Sequence, residues 1–178
     1  MNKKLEKVQN RVIKQIADNM KSYGFPETIG LVMGIIYYEN EPMNLDQLAE
    51  KTGMSKTRMS QVLREMVHLN IAEKVYIKGS RKDYYTVETD YYQTFISLFT
   101  SNWKEVVSRN INLENKTIHE VKSVLEDRDS SDDDKEIAQM YLDESELILD
   151  FYDWVQRLIE SFESHEVFNY VPKKKAEK

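Results

Sequence analysis

Leu5, Val8, Val12, Ile16 and Met20 recur at intervals of three and four residues and predict an amphipathic helix over residues 3–22. Tyr23-Gly24-Phe25-Pro26 ends it: Gly24 suits a left-handed helix terminus, and Pro26 suits the opening of the next helix. Residues 27–38 are apolar on nearly every side, so a second, buried helix is expected there. Gly30 and Gly34, one turn apart, allow another backbone to approach it closely. Glu41-Pro42-Met43 breaks the pattern, and Asn44-Leu-Asp-Gln47 then reads as a capping box for a third helix over residues 45–51. Thr52-Gly53-Met54 turns the chain. Ser55 caps a fourth helix, residues 55–69, which buries Met59, Val62, Leu63 and Met66.

Beyond this helix the period changes from about 3.6 to 2. Residues 71–77 and 84–87 have strand character, and the segment 78–83 lies between them as a hairpin tip. Asp90-x-x-Gln93 then opens a long helix with a stripe of Phe95, Leu98, Phe99, Trp103, Val106 and Val107, extending through Ile118, Val121 and Leu125. An acidic break at 126–134 precedes a last helix capped by Ser131, with Asp132, Asp133 and Asp134 placed favourably for the helix dipole. That helix carries Ile137, Met140, Tyr141, Leu147, Ile148, Phe151, Trp154, Val155, Leu158, Ile159 and Phe162.

The order predicts a mainly α fold: a winged helix-turn-helix lobe with a short β-hairpin wing, followed by long C-terminal dimerisation helices. The expected divisions are a DNA-binding domain at 1–90, a helical dimerisation and effector region at 91–170, and a disordered basic tail at 171–178. A wide apolar stripe on the last helix needs a cover, and a second copy of the chain is the simplest one.

Charge first argues against a nucleic-acid partner, because the chain of 178 residues carries a net −6. Its distribution reverses the argument. Between Lys51 and Lys82 stand Lys51, Lys56, Arg58, Arg64, Lys74, Lys78, Arg81 and Lys82 against Glu65 and Glu73, a local +6 that leaves −12 for the remainder. DNA affinity depends on this local surface, where phosphates displace counterions. With no Cys there is no disulfide, thiolate metal site or cysteine nucleophile. Phosphate loops and Gly-rich dinucleotide turns are absent too, and the three His are scattered, so neither an enzyme nor a resident cofactor or metal is expected. No apolar run reaches the roughly 20 residues of a membrane span, and the opening residues lack a signal-peptide core, so a cytoplasmic protein is expected.

At about 100° per residue, Thr57, Gln61, Arg64 and His68 fall opposite the buried face of the fourth helix. Arg58 and Ser60 lie on its flanks, and Ser55 and Lys56 at its start. Arg pairs with guanine and Gln with adenine in the major groove, and none of these positions is acidic. Lys78, Arg81 and Lys82 surround Gly79 and Ser80 on the hairpin tip, within reach of the backbone or minor groove. These residues together are the expected reader of a double-stranded DNA operator. A winged helix devoted to protein–protein contact is the alternative, and the acidic remainder of the chain suits it.

From Ile16 to about Trp103 the sequence resembles the MarR-like winged-helix regulators, especially the GbsR branch, which includes repressors of choline uptake and glycine betaine synthesis genes. The likeness lies in Tyr23-Gly24 with Ile29-Gly30, Tyr37-Tyr38-x-x-Glu41-Pro42-Met43, Leu45-Asp46-x-Leu48, Gly53-Met54-Ser55-Lys56 and Asp90-Tyr91-Tyr92. The resemblance implies a dimeric transcription factor, usually a repressor. For members that sense choline it also implies an aromatic cage around the trimethylammonium group, which ring faces attract and no strong hydrogen bond can hold. Tyr37, Tyr38, Tyr91, Tyr92 and Trp103 are the candidates here. Aromatic residues at helical spacing are also ordinary core, and both readings stand at this point.

Overall fold

The computed structural model describes residues 2–174. The chain forms two compact units divided between Leu98 and Phe99. Residues 172–174 are exposed and belong to no helix or strand; the rest of the expected tail, 175–178, lies outside the described residues.

In the first unit, helix α1 (Lys3–Ser22) packs on helix α2 (Glu27–Glu39). Gly24 takes φ +89°, and the amides of Gly24 and Phe25 donate to the carbonyls of Lys21 and Met20, closing the helix end. The α1 stripe is buried from Ile13 onward, through Ala17 and Met20. Leu5 and Val8 remain 61% and 45% exposed, so periodicity overstated how much of this helix the unit covers.

Strand β1 (Met43–Asn44) follows, then α3 (Leu45–Thr52), α4 (Lys56–His68), β2 (Ala72–Val75) and β3 (Tyr84–Val87). The sheet order is β1-β3-β2, all antiparallel, with Asn44 opposite Tyr84 and Ala72 opposite Val87. Sequence pattern missed β1, which is two residues long and pairs with a strand some forty residues later. Between α3 and α4 the turn passes through Gly53 at φ +70°, and Asn70 at φ +54° ends α4 in the same left-handed region. The core joins Ile29, Val32 and Ile36 of α2 to Leu48 of α3 and to Met59, Val62, Leu63 and Met66 of α4. Ile71 and Ala72 close it, together with Met20, Met33 and Met43.

Helix α5 (Tyr91–Glu126) opens at Asp90, whose Oδ1 accepts from the Tyr92 amide at 2.8 Å. Its first turns bury Thr94, Ile96, Ser97, Leu98 and Thr100, whereas Phe95, expected in the stripe, is 53% exposed. In the second unit, Val107 of α5 packs with Val155 and Ile159 of α6 (Asp132–Glu163), against Phe99, Trp103, Ile111 and Tyr152. Ser131 caps α6 by accepting from the Asp134 amide. After His165, at φ +62°, a short helix α7 (Val167–Tyr170) follows that the pattern had not suggested.

The α1–α2 contact depends on a missing side chain. A Cβ at Gly30 would sit 2.6 Å from both the Ala17 Cα and the Ile16 carbonyl oxygen, against backbone that cannot swing aside. At Gly34 the nearest atoms, on Ile13, are 3.2–3.3 Å away. Gly30→Ala is therefore expected to destabilise the protein by about 1–3 kcal/mol through overpacking. Gly34→Ala should come close to neutral, because the helix-propensity gain of about 1 kcal/mol offsets a milder clash. Urea unfolding at constant m-value measures both, and equal losses would refute the close approach at Gly30.

Candidate nucleic-acid interface

The candidate interface centres on α4. Ser55 has extended backbone and its Oγ accepts from the Arg58 amide at 3.2 Å, which starts the helix and leaves its first turn facing outward. Met59, Val62, Leu63 and Met66 are buried, which sets the face that the helix turns outward. On the other side Lys56, Thr57, Arg58, Gln61, Arg64 and His68 are exposed and Ser60 is half-buried; Ser55 is exposed at the cap. Arg64 lies along the helix, its Nε donating to the Ser60 carbonyl at 3.4 Å. The expected reading residues of α4 thus share one surface, and no acid interrupts it. Glu65 sits half-buried at its margin.

The wing follows from β2 and β3. Gly79, at φ +90°, turns the chain, and the Ser80 amide donates to the Ile77 carbonyl at 3.1 Å. Lys78, Arg81 and Lys82 are exposed on this tip. Lys74 and Asp83 pair across the hairpin at 2.8 Å. Tyr76, which the sequence did not single out, is 84% exposed at the base of the wing.

A second acid lies closer to the reading face. Asp46, in the first turn of α3, accepts from Lys56 at 2.6 Å and from Lys82 at 2.7 Å. Hydrogen bonds from Lys56 and then Lys82, with the attraction of both charges, hold its carboxyl at about 2, and the same contact raises Lys82. No pattern in the sequence points to this link, which joins residues far apart along the chain.

The aromatic candidates are divided between the two units. Tyr37 meets Tyr38 edge-on, with centroids 5.3 Å apart, and Tyr91 at 6.0 Å. A hydrogen bond with Tyr37, and then partial desolvation of a side chain that stays 65% exposed, push the Tyr91 phenol up to about 12. Tyr92 is exposed, its amide donating to Asp90. Trp103 belongs to the second unit, where its ring lies 6.2 Å from Phe99 within an apolar cluster. Among the described residues no helix is long and apolar enough to cross a membrane, and no cluster of His, Asp or Glu could hold a metal ion.

A helix pair closed by a Gly turn, with an exposed polar second helix and a basic hairpin behind it, defines a winged helix-turn-helix regulator. Comparison with known proteins narrows the class. The chain is 53% identical over 171 residues to the HTH-type transcriptional repressor OpcR of Bacillus subtilis (strain 168), covering 96% of this chain and 92% of that one. It is 50% identical to the putative HTH-type transcriptional regulator YvaV and 31% identical to the HTH-type transcriptional repressor GbsR of the same organism. Those alignments cover 95% and 94% of this chain, and 95% and 93% of theirs. Residues 91–169 match the C-terminal helical hairpin of GbsR family transcriptional regulators. A crystal structure of a transcriptional regulator superposes with a TM-score of 0.55 at 12% identity, over 88% of this chain and 98% of that one, showing a shared fold. The chain belongs to the GbsR family of transcriptional regulators.

The Asp46 cluster has a defined pH window. Its carboxyl is depressed on folding, so its contribution is whole above the ordinary value of 3.8 and is lost as pH falls through about 2. Carboxyl-carbon NMR should find Asp46 titrating near 2. Lys82→Ala should move that midpoint upward, and an unmoved midpoint would show that Lys82 is not its partner.

Proposed function

We propose that this chain is a transcriptional repressor that binds a two-fold symmetric duplex operator as a homodimer, and that a small quaternary ammonium compound relieves binding. The single observation that carries the DNA reading is the acid-free exposed face of α4 beside a wing with three exposed cations. In this reading Arg64 and Gln61 face base edges. Ser55, Lys56, Thr57, Arg58, Ser60 and His68 supply further base or phosphate contacts, and Lys78, Arg81 and Lys82 hold the backbone at the wing. The names of the OpcR and GbsR relatives support repression.

Helix α6 supports the dimer. Ile137, Met140, Tyr141, Leu147, Phe151 and Trp154 are each about half exposed or more, an apolar extent that isolated surface residues do not account for. A second copy covers such a face and places two α4 helices on half-sites about one helical turn, ~34 Å, apart.

DNA titration followed by fluorescence anisotropy tests this directly. If the dimer neutralises about six to ten phosphates, affinity falls by ~10³ or more between about 50 and 200 mM salt. Arg64→Ala should cost about 1–3 kcal/mol and relax sequence preference, whereas Lys78→Ala, on the wing tip, should weaken all duplexes nearly alike. Sedimentation equilibrium should give twice the 21.1 kDa chain mass. A flat salt response sinks the DNA reading, and a monomer at micromolar concentration removes the two-fold operator.

For the effector, the adjoining rings of Tyr37, Tyr38 and Tyr91 are the best-supported part of the expected cage. A tenfold loss of operator affinity requires a differential of about 1.4 kcal/mol between the two states. One or two cation–π contacts of roughly 0.5–2 kcal/mol each supply it. Calorimetry should detect choline or glycine betaine in the wild type and lose it in Tyr91→Ala. Absence of heat at millimolar ligand would reject a quaternary ammonium effector. Trp103→Ala should instead lower thermal stability, in keeping with its packing on Phe99.

A further inference from the structure

Asp46 stands where a surface shaped by phosphate attraction alone would not place an acid. Its two oxygens are divided between elements: Oδ1 faces Lys56 at the start of α4 at 2.6 Å, and Oδ2 faces Lys82 on the wing at 2.7 Å. The charge cancels part of the field that draws DNA in. A first-turn acid suits the α3 dipole, but exposed ion pairs contribute little to folding, so stability does not explain why both oxygens are bridged to lysines of other elements. Lys56 and Lys82 keep 73% and 58% of their side-chain surface exposed. An ammonium has three donors, so a lysine that gives one to Asp46 retains two for an incoming phosphate oxygen.

The wing needs such a restraint. Beyond its pairing with β2, strand β3 is paired with the two residues of β1, and the tip between β2 and β3 turns through Gly79. A lysine on that tip is flexible, and holding it in one place before DNA arrives removes an ordering cost from the binding step.

We propose that Asp46 is a positioning residue for DNA recognition: its carboxylate ties the wing to the start of the recognition helix and sets the spacing of Lys56 and Lys82, trading general DNA affinity for discrimination. This rests on the DNA-binding reading above. A rigid two-point contact rewards a duplex whose phosphates match its spacing and penalises one whose phosphates do not. Two loose lysines accept either.

The test uses the full chain and two duplexes: the tightest binder that the wild type selects from a random-sequence library, and a scrambled duplex of the same composition. Asp46→Asn should bind the scrambled duplex more tightly, with a log–log salt slope steeper by roughly 0.9 per protomer for the negative charge removed. The ratio of selected to scrambled affinity should fall by about tenfold, within the ~10³–10⁷ range of specific binders. Asp46→Glu, which keeps the charge, should restore most of the ratio. Without DNA, amide exchange across residues 78–83 should quicken in Asp46→Asn while the melting temperature holds. If affinity for both duplexes rises equally, or wing exchange is unchanged, Asp46 is merely a charge and the proposal fails. If the wild type selects no duplex at all, the DNA reading itself has failed. Should Asp46→Asn not fold, the exchange and ratio measurements on Lys82→Met decide the matter: loss of discrimination with a quickened wing is expected, and an unchanged ratio overturns it.

Discussion

The Asn44 side chain accepts a hydrogen bond from the Gln47 amide at 3.1 Å, while its own amide donates to the Gln47 side chain at 2.8 Å. The same residue pairs with Tyr84 in the sheet and is buried. It therefore belongs to the wing and to the start of α3 together. A cap of this kind contributes about 1 kcal/mol to a helix, but its larger consequence is geometric. Because β1 runs directly into α3, the sheet that bears the wing and the helix that supports α4 cannot drift independently. Asp46, two residues further on, is held at a fixed distance from both.

Around that joint, polarity is sorted by what each face must meet. The inner face of α4 is given to the core and its outer face to uncharged polar and basic groups. The excess acid lies elsewhere, and much of it is on α6 and at its capped N-terminus, where Asp132, Asp133 and Asp134 meet the positive end of the helix dipole. A negative chain can thus present a positive surface, because its opposite charges are segregated along the sequence.

Most of the helical framework was legible because it follows local rules: a period near 3.6, Gly24 and Gly53 where φ is positive, Ser55 and Ser131 at helix starts. What escaped depended on tertiary placement. Strand β1 is too short to show alternation, and its partner lies beyond the whole helix-turn-helix. The first turns of α5 bury Thr94, Ser97 and Thr100, polar residues that a hydrophobic pattern assigns to solvent, while Phe95 faces outward. In the candidate interface, the composition of the α4 face could be read from spacing alone. The bridge from Lys56 through Asp46 to Lys82 could not, since ion pairs across long separations leave no periodic trace. The tyrosines were half legible: Tyr37 and Tyr38 are neighbours in sequence, but only folding brings Tyr91 to them.

The core beneath α4 is unusually rich in thioethers, with Met59 and Met66 on the helix itself and Met20, Met33 and Met43 around it. Unbranched methionine chains fill irregular space and change rotamer at little cost, unlike the stiff β-branched side chains of many small cores. Burial of these side chains resists withdrawal of the helix, and their adaptable rotamers let the packing accommodate small shifts at little cost. If α4 reads DNA as proposed, a helix mounted in this way has compliance built into its bearing. Fitting it to a groove of sequence-dependent width would then call on soft side chains before backbone.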